Sequence, residues 1–151
     1  MQPAVNGSPA LSRILFGLIA VLSVAGIVDS AISLERHYAK SATTYCDFSQ
    51  KFNCDVVNRS EYSEIAGIPV AGIGVAGYAA LFIFSTFWRS RPETPLWLIT
   101  ASLAGLAFAA YLTYIEAYEL MTWCILCLVS LTLIFLISVL AAILKFRTSR
   151  A

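Results

Sequence analysis

The chain has 151 residues, of which 59% are hydrophobic and 13% are charged, and its mean hydropathy is +0.78. This composition is too apolar for an ordinary water-soluble domain of that length, so it predicts a chain embedded in a lipid bilayer. The formal net charge is +1. Such a balance argues against a nucleic-acid-binding class, which relies on many Lys and Arg contacts to phosphates.

Four apolar stretches are long enough to cross a bilayer, at 14–33, 70–88, 96–117 and 123–144. They predict an all-α membrane protein, with a four-transmembrane-helix bundle forming one domain over 14–144 and no appended soluble domain. The first stretch is too long for a typical secretory signal and no convincing cleavage site follows it, so we expect a retained helix. The polar tail 1–13 is predicted to be disordered, and 145–151 forms a second tail.

The basic residues orient this bundle, because short loops rich in Lys and Arg stay on the cytoplasmic side. Six of the ten fall on one side of the predicted spans: Arg13, Arg89, Arg91, Lys145, Arg147 and Arg150. The other four are spread through a longer segment that also carries acidic residues. Both termini are therefore predicted to be cytoplasmic.

The outer loop, 34–69, is too long for a tight turn. Within it, Asn58 followed by Glu61 is typical of a helix N-terminus, and Gly67 with Pro69 is typical of a helix end. We expect a short interfacial half-helix there, lying on the membrane surface above the bundle.

All four cysteines fall on the predicted outer side, as Cys46 and Cys54 in the loop and as Cys124 and Cys127 at the start of the fourth span. Disulfides persist in that compartment. A Cys-x-x-Cys pair in the first helical turn lies near free backbone N–H groups, which favour thiolate, the form that exchanges. The residues after Cys127 are apolar, so a lipid-soluble oxidant such as a quinone could reach this pair.

The cysteine spacing is also compatible with simpler roles. Cys46 and Cys54 alone would suit a structural staple, and the intramembrane pair would suit small buried hydrophobes. A zinc site is disfavoured because typical sites pair close-spaced ligands. We expect no metal.

Several motifs together resemble the vitamin K epoxide reductase family, in particular its bacterial disulfide-forming members. They are Cys46-Asp47 with Cys54, Ser60, the glycine-rich run 67–78, Tyr111-Leu112, and Trp123-Cys124-x-x-Cys127-Leu128. The resemblance covers nearly the whole chain. Some bacterial relatives carry a fused thioredoxin-like domain, which is not expected here, so a separate thioredoxin-like thiol oxidoreductase is the expected partner.

The resemblance implies a role for each of these residues. Cys46 and Cys54 would be the shuttle pair, Cys124 and Cys127 the pair beside the quinone, and a Cys54–Cys124 disulfide the intermediate. Ser60 would face the active site. The quinone contacts implied for the remaining motifs are Ile73, Tyr111 and Leu112.

Two positions depart from the animal enzymes of the family that this chain resembles, which carry asparagine at the position of Val70 and tyrosine at that of Leu131. Reduction of an epoxide requires protonation of a developing oxygen charge, so the loss of positioned donors favours simple quinone reduction. We expect a disulfide-forming quinone oxidoreductase of the bacterial inner membrane, which uses ubiquinone or menaquinone and has its active site on the periplasmic face. The alternatives are a vitamin K or vitamin K epoxide reductase of the endoplasmic reticulum and a non-enzymatic tetraspan scaffold.

Three further titratable residues stand out in the sequence. His37, the only histidine, is expected to be a surface residue, and Glu116 to keep a helix end hydrated. Asp29 is a functional candidate because it lies in an apolar span, although it is near enough to the outer end to be solvated.

Overall fold

The first helix is longer than its predicted span. The computed structural model describes residues 8–40, 46–47 and 49–150. Helix α1 covers Pro9–Tyr38, with Ser8 at the N-cap and Pro9 in the first turn, where a missing N–H costs nothing. Five residues of the predicted disordered tail, 9–13, are therefore helical, and the part of that tail at 1–7 lies outside the described residues.

Three more long helices follow, close to the predicted spans: α3 Val70–Thr86, α4 Thr94–Ile115 and α5 Ile125–Ser149. A π-helical segment, Glu116–Leu120, continues α4 and ends where Met121 adopts a left-handed conformation with φ 50°. Helix α5 extends to Ser149, so most of the predicted tail 145–151 is helical. Within the described residues, three helical stretches are long and apolar enough to cross a membrane, namely Pro9–Tyr38, Thr94–Leu120 and Ile125–Ser149, and α3 is a shorter apolar helix of 17 residues.

The long helices pack around one core, with α1 against α3 and α5, and α4 against α5 and α3. Ile19, Leu98 and Ile137 are fully buried at its centre. Small residues allow close approach, since Gly26 lies directly against the Tyr78 ring and the side chain of Ile134 abuts Gly105. Many large apolar side chains on the outer helix faces are exposed, as expected for surfaces that contact lipid.

The outer loop does not form the predicted half-helix between Asn58 and Gly67. A short helix α2 instead precedes it at Cys54–Asn58, followed by a 3₁₀ turn at Glu61–Ser63. Two short antiparallel strands, β1 Glu64–Ile65 and β2 Ile68–Pro69, then form a hairpin. Its two turn residues, Ala66 and Gly67, both have positive φ, as in a type I′ hairpin turn and unlike a right-handed helix.

Candidate active site

The loop cysteines form a disulfide, with Cα atoms 5.6 Å apart. Cys54 is the first residue of α2, and the Asn53 side chain caps that helix by accepting the Val56 N–H at 3.0 Å. Both Cys46 and Cys54 are 0% exposed. The bridge is therefore covered by protein, so a reductant reaches it only when the loop opens.

The second pair lies at a helix start, as the sequence predicts. Cys124 is the N-cap of α5 and Cys127 is in its first turn, and both are free thiols. The backbone ties this segment to the outer loop, because the Trp123 N–H donates to the Lys51 carbonyl at 2.7 Å and the Asn53 N–H donates to the Trp123 carbonyl at 3.0 Å. The two cysteine pairs are thus held side by side.

Three of the four sulfur atoms share one buried cluster. Cys46, Cys54 and Cys124 pack with Val57 and Leu126, and Cys127 packs partly against the same group. These residues are apolar, so water is excluded from the space between the pairs.

Asn58 links the two pairs through its side-chain amide. This amide donates to the Cys54 carbonyl at 2.9 Å and lies 3.8 Å from the Cys124 Sγ atom. The sequence pattern predicts that Asn58 caps a following helix, whereas it is the last residue of α2. Its role depends on a long-range contact that spacing along the chain does not reveal.

Glu116, like Asn58, lies in an environment that differs from the one expected. It is 1% exposed rather than hydrated, because the π-helical segment turns its side chain inward under the start of α5. Its Oε2 atom accepts the Cys124 N–H at 3.0 Å, and the carboxyl group also interacts with the Cys127 thiol. A buried ionisable group near the end of a membrane span is a functional candidate.

A cavity of about 410 Å³ opens between the long helices and the outer loop. Four of the predicted site residues line it: Ser60, Ile73, Leu112 and Cys127. Tyr111 is 55% exposed and is not part of the wall, since its helix position turns it outward. Cys127 is the one cysteine of the four, all of which the structure describes, that lines the cavity.

Three further polar side chains line this cavity deep in the bundle. Asp29 is only 7% exposed rather than solvated, and Tyr78 donates to the Ser130 carbonyl at 2.9 Å. Tyr78 belongs to the glycine-rich run and Ser130 follows Cys127 by one helical turn, so sequence spacing contained a signal for both.

His37 is a connector between α1 and the outer loop rather than a surface residue. Its Nδ1 atom donates to the Asn58 carbonyl at 2.5 Å, and its Nε2 atom lies 3.0 Å from a Glu64 carboxylate oxygen. The side chain is 10% exposed and lines the cavity. His37 therefore fixes the residue that contacts both cysteine pairs.

The loop beside the disulfide carries two neighbouring acids, Asp47 and Asp55. Burial raises the pKa of Asp55 above its ordinary value of 3.8, and the nearby Asp47 raises it further. Arg59 opposes this shift from 3.7 Å. No group of His, Cys, Asp or Glu in the described part of the chain could hold a metal ion.

Comparison with known protein families matches residues 17–142 to the vitamin K epoxide reductase family. The chain belongs to this family. Membership means a membrane-embedded oxidoreductase that exchanges electrons between thiols and a quinone. No curated protein matches the chain.

The size and lining of the cavity are compatible with a quinone, the electron acceptor that the family uses. Its volume of about 410 Å³ lies in the range of small-molecule sites, which are mostly apolar with a few polar groups. Apolar side chains such as Ile73, Phe108 and Leu112 would hold the ring, and Cys127 supplies a thiol at the wall.

Proposed function

We propose that this protein is a thiol oxidase and quinone reductase that supports disulfide formation outside the bacterial cytoplasm. Electrons would pass from a separate thioredoxin-like protein to Cys46 and Cys54, then to Cys124 and Cys127, and finally to ubiquinone or menaquinone. The family gives the thiol and quinone chemistry, and the order of steps is our proposal.

The observation that carries this order is the different surroundings of the four sulfur atoms. Cys127 is the cysteine on the cavity wall, and Cys124 shares a water-excluding cluster with Cys54. A quinone in the cavity would therefore meet Cys127, whereas exchange with the loop pair would take place at Cys124. This division supports a Cys54–Cys124 mixed disulfide as the intermediate.

The chemistry balances as two successive dithiol–disulfide exchanges and one reduction. A reduced donor opens the Cys46–Cys54 bond, and the Cys54 thiolate then attacks Cys124 of an inner disulfide, which releases Cys127. The Cys46 thiolate then attacks Cys54 of the mixed disulfide, which restores the Cys46–Cys54 bond and frees the Cys124 thiolate. Two thiols and one quinone finally give one S–S bond and one hydroquinone, so two electrons and two protons move together.

The pattern of one disulfide and two free thiols corresponds to one stage of this cycle. The outer pair is oxidised, while Cys124 and Cys127 are free thiols. In the proposed scheme, this is the stage after electrons have reached the inner pair and before the quinone receives them.

We propose a four-span arrangement of one domain over 14–144, with both termini cytoplasmic and the cysteines on the periplasmic face of the inner membrane. Helix α3, with 17 residues, is at the lower limit of bilayer-spanning length. The charge distribution supports this orientation, since Arg89 and Arg91 lie in the short link between α3 and α4.

The donor enters through the outer loop in this scheme. Because Cys46 and Cys54 are 0% exposed, a protein donor would need the loop to open before it could form a mixed disulfide. A separate thioredoxin-like protein suits this step, since its own exposed dithiol can hold the opened loop by a covalent bond.

The test supplies purified protein with a reduced thioredoxin-like donor and a quinone, and measures quinone reduction. Cys124→Ala and Cys127→Ala should each abolish turnover, while Cys46→Ala should retain more activity with a small dithiol than with the protein donor. Turnover that survives loss of Cys127 would contradict the proposal. Turnover with the epoxide of vitamin K but with no quinone would favour the epoxide reductase alternative.

A further inference from the structure

Glu116 is a buried acid in a place where packing alone does not require one. Its side chain is 1% exposed, and its carboxyl group interacts with the two inner cysteines, although Oε1 has no hydrogen bond of good geometry in the described part of the chain. Burying a carboxylate oxygen without a hydrogen bond costs stability. The cost suggests that the carboxyl group has a task in the reaction.

The two carboxylate oxygens of Glu116 face different surroundings. Oε2 accepts the Cys124 N–H at 3.0 Å, which holds the carboxylate at the positive N-terminal end of α5. Oε1 has no such bond, and Glu116 lines the cavity together with Cys127. One oxygen therefore fixes the group while the other is free to take a proton.

The reduction proposed above requires a group of this kind. Each thiol of the inner pair must lose its proton before the S–S bond can form, and each quinone oxygen must gain one. The cavity wall is mostly apolar, and water is a poor competitor there. A positioned carboxylate beside the thiol would move the proton without releasing it into the membrane.

We propose that Glu116 accepts the thiol proton of Cys127 and passes it to a quinone oxygen, which rests on the quinone reductase function proposed above. The S–H bond of Cys127 breaks and an O–H bond forms on Glu116, which then gives the same proton to the quinone. The Cys124 thiol loses the second proton as the S–S bond forms, and the Glu116 carboxylate, ionised again by the first transfer, accepts this proton and passes it on to complete the hydroquinone. The electron pair released when Cys124 and Cys127 join enters the quinone, so the inner pair is oxidised and the quinone reduced.

Other titratable groups surround the same space and must be considered in any pH profile. Cys124 and Cys127 face Glu116 from α5. The remaining titratable groups on the cavity wall are Asp29 and His37 of α1, Tyr62 of the outer loop and Tyr78 of α3. Among all of these titratable residues, only Cys124 and Cys127 interact directly with Glu116.

The test compares Glu116→Gln with Glu119→Gln, a matched change at an exposed acid three residues further on. Glutamine keeps an oxygen that can accept the Cys124 N–H, but it cannot take a proton. We expect single-turnover quinone reduction to fall about 100-fold or more in Glu116→Gln and to stay within about twofold in Glu119→Gln. Exchange between the two cysteine pairs should change less than quinone reduction.

The pH profile separates proton transfer from a structural role. In Glu116→Gln, hydroxide must ionise the Cys127 thiol, so the deficit should shrink as the pH rises. Glu116→Asp, which keeps a carboxylate, should recover part of the rate and also serves if the glutamine variant fails to fold. A Glu116→Gln deficit that is equal at every pH, or a Glu116→Asp variant no faster than Glu116→Gln, would overturn the proposal.

The same measurements distinguish a failure of this inference from a failure of the proposed function. If the unmodified protein and Glu119→Gln reduce no quinone with a reduced donor, the proposed function fails. If both reduce quinone and Glu116→Gln does so at full rate, the function stands and the role of Glu116 is refuted.

Discussion

Replacing Gly26 by alanine should disturb the cavity wall through a single added methyl group. A Cβ atom at this position would overlap the Tyr78 ring, so the ring must shift. Overpacking of a core costs about 1–3 kcal/mol, and the loss of the Tyr78 hydrogen bond to Ser130 adds about 0.5–1.5 kcal/mol. Alanine regains roughly 1 kcal/mol of helix propensity, so we expect a net loss of about 0.5–3.5 kcal/mol.

The matched control is Gly17→Ala in the same helix, because a Cβ atom there has nothing within 4 Å. Gly17→Ala should be neutral or stabilising by up to about 1 kcal/mol. Thermal unfolding in detergent, followed by thiol labelling, measures both variants. Quinone titration should show a higher KM for Gly26→Ala, since Tyr78 and Ser130 line the cavity. A Gly26→Ala protein as stable as Gly17→Ala, with an unchanged KM, would refute this reasoning.

Two further predictions concern the outer loop. The raised pKa of Asp55 means that its protonated form is favoured in the folded loop, so the stability it contributes at low pH is lost as the pH rises through that pKa. Opening of the loop, measured as reduction of the Cys46–Cys54 bond by a phosphine, should therefore become easier with rising pH above 3.8 relative to Asp55→Asn. His37→Ala removes the hydrogen bond to the Asn58 carbonyl and leaves that carbonyl unpaired, which costs about 1–3 kcal/mol. Reduction of the Cys46–Cys54 bond should therefore become roughly tenfold faster.

Each loop prediction has a control at an exposed residue. Glu61→Gln should keep the pH dependence of the unmodified protein, and Lys40→Ala should keep its reduction rate. If the ratio of the wild-type reduction rate to the Asp55→Asn reduction rate does not change with pH, the effect assigned to Asp55 is contradicted. A His37→Ala protein reduced no faster than Lys40→Ala would contradict the anchoring role of His37.

The long helices were predictable because hydrophobic length is a strong local signal. The start of α5 immediately after Cys124 was also expected, since Trp123 precedes a long, mostly apolar stretch. The ends of α1 and α5 extend beyond the apolar stretches because helical hydrogen bonding continues through polar residues as far as Tyr38 and Ser149.

The outer loop was less predictable because tertiary contacts determine it. The pattern from Asn58 to Gly67 suits a helix locally, yet the chain forms a hairpin there and puts its short helix at Cys54. Backbone pairing with Trp123 and the link from His37 to Asn58 hold this arrangement. Both join residues that are far apart in the chain.

The candidate site was predictable only in part for the same reason. Cysteine spacing and resemblance identified Cys127 and Ser60, both of which line the cavity. Tyr111 lies on the outer face, because helix phase within an all-apolar span cannot be read from hydrophobicity alone. The inward position of Glu116 depends on a π-helical segment, and no local pattern in the sequence indicated it.

The most direct test of the proposed electron path is a single turnover with the inner pair reduced and the loop pair oxidised. The protein is mixed with one equivalent of quinone, quenched with acid at intervals, and its disulfides are mapped by mass spectrometry. The proposed path predicts that a Cys124–Cys127 disulfide appears at the rate of hydroquinone formation while Cys46–Cys54 stays intact. Hydroquinone that forms at that rate while Cys124 and Cys127 remain free thiols would contradict it.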